Sequence, residues 1–290
     1  MVTRLKFFGV LIAAILLSIS AHVDAAPNWN TNTIQVTGMG VADPNRAVTK
    51  AHASMMARRA AMTDAYRQLA EALNGVQVDA ETTVEQMILT SDVVKTRISA
   101  VIKGAKVVSE GELNGGGYSV TMELPLFGGQ GSLAETVIER PQYVEPIPPP
   151  APDYRPPADY TPDYYRPPTD YTPDYRPTYS SGNHTGLIVD CRGIGELNPV
   201  MSPVIKDIDG KKIYGHKNLD YDRIIREGMA TYASDMSMAS RAGSNPLYVR
   251  AIWLDDLNAT PVLSKEDAEL VLYENRLTHF LENIAVVFLY

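Results

Sequence analysis

Apolar and polar positions alternate at Thr33-Ile34-Gln35-Val36-Thr37, placing Ile34 on one face and polar neighbours on the other, which predicts a strand. After Gly38-Met39-Gly40 the period changes from two to about 3.6. Asp43 and Pro44 supply an N-cap acceptor and a first-turn proline, so the helix is expected to start there. It should run to Leu73 and stop at Asn74-Gly75, with the glycine turning left-handed. Its apolar stripe is Val48, Ala51, Met55, Met62, Tyr66, Leu69 and Leu73. An extended stretch follows through Val76-Gln77-Val78-Asp79 and Thr82 to Val84. Ser91 caps a short helix with Val94, Ile98 and Val101 inward, ending at Gly104. A hairpin from 105–113 to 118–126 turns at Asn114-Gly115-Gly116-Gly117, with Tyr118, Val120, Met122 and Leu124 on the buried face. These elements predict an α+β two-layer domain over residues 27–140.

The pattern then stops. Residues 141–182 are rich in Pro, Tyr and Asp, with no aliphatic side chain larger than alanine after Ile147 and a repeat at Asp153-Tyr154-Arg155-Pro156-Pro157, Asp163-Tyr164-Tyr165-Arg166-Pro167-Pro168 and Asp174-Tyr175-Arg176-Pro177. Such a composition cannot build a core of its own, so it predicts a disordered or polyproline II linker between two independent folded parts. As polyproline II it would reach about 120 Å at ~3.1 Å per residue, enough to hold two partners apart. The interleaved Tyr, Arg and Pro also suit docking into an aromatic groove, with Tyr154, Tyr164, Tyr165 and Tyr175 as contact residues.

Patterning resumes over 183–290. A buried strand is expected at Thr185 to Cys191, a hairpin about Asp209-Gly210, and a helix carrying Tyr221, Ile225, Gly228-Met229 and Tyr232 on one face. A strand should follow at Leu247 to Trp253. Ser264 with Asp267 caps a last helix with Leu270, Tyr273, Leu277 and Phe280 inward, and Ile284 to Tyr290 is apolar enough for a central strand. This is again α+β, so the fold class is two α/β-sandwich domains on either side of a linker.

Residues 1–25 stand apart: Arg4 and Lys6, an apolar run from Phe7 to Leu17, then Val23 and Ala25 before a cleavage site, the pattern of a secretory signal peptide. The run is too short to span a bilayer, so no integral membrane span is expected after cleavage. No Cys lies near the cut to accept a lipid anchor. The formal net charge of −8 disfavours nucleic acid as a partner. The single Cys, Cys191, permits no intramolecular disulfide.

Chemistry-bearing residues are few. Gly38-x-Gly40 lies between strand and helix, but Asp43 occupies the third glycine position of a dinucleotide loop and would repel phosphate. His52, His184, His216 and His279 lack metal-ligand spacing, so no metal or other cofactor is expected. Cys191 between Asp190 and Arg192 admits two readings, a reactive thiolate or a plain core thiol. Arg58 and Arg59 lie close to the helix stripe. Either their stems snorkel along apolar surface, or an arginine pairs with a carboxylate such as Asp64 or with a ligand anion. Asp255-Asp256 fits a solvated turn. Asn183-His184-Thr185 and Asn258-Ala259-Thr260 match the glycosylation pattern, which matters only in a eukaryotic secretory pathway. No catalytic constellation emerges.

Several segments together carry a family resemblance: Gly38-Met39-Gly40, Ala57-Arg58-Arg59-Ala60-Ala61, Asp64 to Glu71, Asn74-Gly75-Val76, Ser91-Asp92-Val93, Ile102-Lys103-Gly104-Ala105 and Tyr118 to Met122. Over roughly residues 32–127 the chain resembles the LPP-twenty lipoprotein family, whose domain is similar to the N-terminal domain of flagellar assembly protein T. The resemblance implies a bacterial cell-envelope protein at the outer membrane, with no catalytic residues to carry over. The chain departs from that pattern in lacking the lipidated Cys. Thr185 to Arg192, Ser202-Pro203 and Ile213-Tyr214-Gly215 look like the region found beside the first domain in some of these envelope proteins. The expectation is therefore an exported, non-enzymatic structural, scaffolding or assembly component, periplasmic or outer-membrane-associated, at the outer membrane or beside the flagellar machinery, with envelope or outer-membrane proteins as partners. The alternatives are a periplasmic ligand- or peptide-binding protein using the cleft between domains, and an envelope enzyme with a site near Asp190, Cys191 and Arg192.

Overall fold

The computed structural model describes residues 26–114, 116–156 and 182–290. The signal peptide expected at 1–25 and the repeat tyrosines Tyr164, Tyr165 and Tyr175 lie outside the described residues. The first domain runs β1 (Thr33–Val41), α1 (Lys50–Asn74), α2 (Val84–Thr90), α3 (Asp92–Lys103), β2 (Lys106–Leu113), β3 (Gly117–Pro125) and α4 (Leu133–Val137). Its sheet is antiparallel in the order β1-β3-β2. The expected alternation holds, since Ile34 pairs with Leu124 and Val36 with Met122, all four buried under the helices.

Helix α1 departs from expectation in three ways. Asp43 does not cap it: its carboxylate accepts the Asn45 N–H at 2.9 Å and is spent in a local turn. Thr49 caps the helix instead, its hydroxyl accepting the His52 N–H at 3.1 Å. Gly75 stays right-handed, with φ −78°. The buried face is the small-residue row Ala57, Ala61 and Ala65, continuing to Leu69 and Leu73, while Val48 and Met55 are exposed. The reason is on β1. A Cβ added at Gly38 would lie 2.2 Å from the Ala61 carbonyl oxygen, and one at Gly40 would lie 2.3 Å from the Ala61 nitrogen, so strand and helix backbones meet directly. Only alanines fit along such a seam. The extended stretch expected through Val84 ends one residue earlier, and residues 84–90 form α2, because Thr83 and Gln86 make a reciprocal capping box.

The second domain continues with β4 (Gly186–Asp190), β5 (Ile205–Asp207), β6 (Lys212–Tyr214), α5 (Tyr221–Glu227), β7 (Thr231–Ala233), β8 (Pro246–Arg250), β9 (Trp253–Asp255), β10 (Thr260–Leu263), α6 (Lys265–Thr278) and β11 (Val286–Leu289). One sheet, β7-β11-β4-β8, is wholly parallel, and β4 and β11 are buried along their entire lengths. The other is mixed, in the order β6-β5-β10-β9. The mixed α and β class holds. Helix α5 is shorter than its pattern, because Gly228 at φ 72° ends it and carries Tyr232 onto β7. The strand expected at 247–253 divides between the two sheets. In α6, Leu270 is buried as expected but Leu277 is exposed, and the inner face includes Asp267, Glu274 and Asn275.

The two parts are not held apart. The N–H groups of Gly128 and Gly129 both donate to the Ile225 carbonyl at 2.9 Å. Met201 N–H donates to Gln77 O at 3.1 Å and Ser202 N–H to Val78 O at 2.8 Å. Phe127 covers Gly228, Trp29 meets Tyr232 edge-on at 5.5 Å, and Arg140 pairs with Asp222 at 2.6 Å, so the two cores run together. Residues 141–156 lie along the second domain. Glu145 N–H donates to Lys217 O, Ile147 packs on the core, Pro150 is buried, and Tyr154 meets Tyr273 edge-on at 5.8 Å. This overturns the expected 120 Å separation. Proline-rich backbone carries few donors of its own, but its flat apolar surface docks readily on an existing core. Gly182 N–H donates to Glu274 Oε2 at 2.9 Å, so Gly182, like Tyr154, lies beside α6.

Candidate functional site

The domain junction leaves a cleft of about 480 Å³. One side comes from the loop after Val78 and from the docked segment at Glu145, Pro146 and Pro148; the other comes from the second domain. Asp79 shapes the first lip, its Oδ1 accepting the N–H groups of Glu81 and Thr82, each at 2.9 Å, which leaves Glu81 exposed. Asn218 Nδ2 donates to the carbonyls of Glu145 and Pro146 at 3.2 Å each and holds the proline segment at the rim.

The second domain supplies Lys206, Lys212, His216, Lys217 and Ser202. Lys206 is already satisfied, at 3.1 Å from Asp255 and 2.7 Å from Asp256. That pair sits where Asp256, Leu257 and Asn258 all take positive φ, a strained turn between β9 and β10 rather than a merely solvated one. His216 Nδ1 lies 3.3 Å from Ser202 Oγ. Burial, then the positive charges of Lys217 and Lys212, hold this imidazole below its ordinary range, which favours its neutral form near pH 7. Sequence patterning missed this site because its parts come from three separated segments; the isolated His216 gave no spacing signal.

The residues singled out from sequence lie elsewhere. Arg58 is half-exposed and donates through Nε to Glu110 Oε2 of β2 at 2.8 Å, not to Asp64. Asp64 instead accepts from Arg67, Gln68 and the Met39 N–H. Arg59 is exposed. Tyr154 lies on α6, where burial and then the carboxylates of Asp267, Glu269, Glu274 and Glu266 push its hydroxyl up to about 12. Cys191 is fully buried, and burial, with Asp190 adding to it, pushes its thiol far above the ordinary range. The Asp190 carboxylate is engaged by Arg192 at 2.8 Å and by the Tyr248 hydroxyl. Among the described residues no group of three or more His, Cys, Asp or Glu side chains is placed to hold a metal, and no helix is long and apolar enough to cross a membrane.

The chain is thus built of two α and β domains joined by main-chain hydrogen bonds about a polar cleft. The comparisons place each half. Residues 27–124 match the family model described as LPP20 lipoprotein, the family that the motifs of the first domain resemble. Residues 186–290 match a model described as Treponema pallidum Tp0624, second domain. Neither description refers to flagellar assembly protein T. No curated protein matches the chain.

Proposed function

We propose that the protein is a non-enzymatic structural or assembly component of the bacterial cell envelope. The observation that carries this reading is the pairing of an LPP20 lipoprotein match with a Tp0624-type match in domains that hydrogen-bond directly to each other. A fused pair of domains offers partners one continuous surface. Envelope or outer-membrane proteins are the partners this proposal calls for, and a place beside the flagellar machinery is its narrower form. Cell fractionation with crosslinking in the intact envelope tests it. Recovery with the envelope and a reproducible crosslinked partner are expected; a cytosolic protein, or a deletion strain with unaltered envelope integrity, would overturn it.

The cleft favours a second reading, ligand binding at the domain junction. An enzyme centred on Asp190, Cys191 and Arg192 has less support, because a buried, protonated thiol is a poor nucleophile. Replacing Cys191 with Ser tests that alternative: loss of an envelope activity with unchanged folding would restore it.

A further inference from the structure

The charges around the cleft do not neutralise one another. Lys206 is paired with two aspartates, and Asp79 is engaged with backbone amides. Among the described residues, Lys212 and Lys217 on the second domain, and Glu81 and Glu145 on the opposite lip and docked segment, make no ion pair. Leaving four such charges around one concavity disfavours an apolar occupant, which would strand them away from water. A polyanion would meet Glu81, Glu145 and Asp256; a polycation would meet the lysines. A ligand carrying both signs satisfies both sets.

His216 adds direction to this arrangement. Its Nδ1 lies 3.3 Å from the Ser202 hydroxyl, and the imidazole lines the cleft together with Lys212 and Lys217. Two ammonium groups sharing a concavity with an imidazole and a hydroxyl suit a carboxylate. The volume, about 480 Å³, lies in the lower half of the range of small-molecule sites.

Resting on the ligand-binding reading, we propose that the cleft takes a small zwitterion, an amino acid or short peptide with free termini, its carboxylate at Lys212, His216 and Lys217 and its ammonium at Glu81 and Glu145. Calorimetric titration of the purified protein with alanine, tri-alanine, N-acetyl-tri-alanine, tri-alanine amide and citrate tests it. All four charged residues border solvent, so Lys212→Met with Lys217→Met, and Glu81→Gln with Glu145→Gln, should leave folding intact. Saturable binding of tri-alanine or alanine is expected. Amidation or the lysine pair should weaken it about tenfold or more, and the two changes combined should do little further harm; acetylation and the glutamate pair should behave likewise. Binding of citrate through the lysines with no binding of alanine or tri-alanine would overturn the zwitterion while sparing the ligand-binding reading. Silence from every probe would sink both and leave the assembly proposal untouched. Peptide binding indifferent to all four substitutions would also overturn the assignment.

Discussion

Replacing Gly38 with Ala would drive a methyl group into the backbone of α1. The new Cβ would lie 2.2 Å from Ala61 O, 2.3 Å from Ala65 N and 2.8 Å from Ala65 Cα. These are main-chain atoms of a continuous helix, so no side-chain rotation relieves the overlap. The helix must retreat by about 1 Å to restore ordinary contact. Retreat on that scale forfeits a quarter to a half of each dispersion contact along the seam, including those that bury Leu69 and Leu73 beside Ile34 and Val36. Overpacking of this kind costs about 1–3 kcal/mol before the lost contacts are added. Against this stands a gain of only about 0.4–1 kcal/mol from reduced freedom in the unfolded chain, so the clash decides the sign. A net loss of about 3 kcal/mol is expected from urea unfolding followed by circular dichroism. Gly111→Ala is the control, since a Cβ there meets nothing within 4 Å, and it should stay within about 0.5 kcal/mol of the parent. Adding Ala65→Gly should not rescue Gly38→Ala, because the obstruction is backbone. Equal stability of Gly38→Ala and the parent, or full rescue by Ala65→Gly, would refute the direct strand-to-helix contact.

Three further outcomes follow from the packing. Phe127→Ala strips the ring that covers Gly228 at the domain junction and should cost about 3 kcal/mol, splitting a shared calorimetric transition into two; one unshifted transition would count against coupled domains. Burial alone would raise the Asp190 carboxyl, but the hydrogen bonds from Arg192 and Tyr248 outweigh it and hold the group below the ordinary carboxylate range. A depressed folded value means that its stabilisation is complete at neutral pH and is lost as pH falls below about 4; Asp190→Asn should therefore lower neutral stability by about 1–3 kcal/mol and flatten the acid limb of an unfolding curve, and an unchanged acid limb would contradict this. The Cys191 thiol should react with a disulfide reagent only at the rate of global unfolding, so labelling within seconds in native buffer would show that it is not buried.

Much of the fold was legible where one local signal sufficed. The β2–β3 hairpin follows from alternation and a glycine-rich turn, α3 and α6 from Ser91 and Ser264 as caps, and the β5–β6 hairpin from Asp209-Gly210. The buried face of α1 was not legible, because the large apolar residues suggest one stripe while the glycines of β1 select a row of alanines. Strand β7 is three residues long and owes its identity to pairing with β11, which no local pattern records. The docking of 141–156 was hidden for a related reason: a proline-rich segment reads as a spacer until the surface that receives it is known. The cleft needs Glu81, Glu145 and Lys217 from three different places in the chain, so only the folded arrangement reveals it.

The placement of β11 bears on how the chain acquires its structure. This strand lies between β4 and β7 in the parallel sheet, yet follows both in the sequence by more than fifty residues. Without it, β4 and β7 lack the strand that pairs with both. Parallel pairing over such separations is slow, because long loops must close before any contact rewards them. The second domain therefore cannot complete its parallel sheet until residues 286–289 are available to pair with both neighbours.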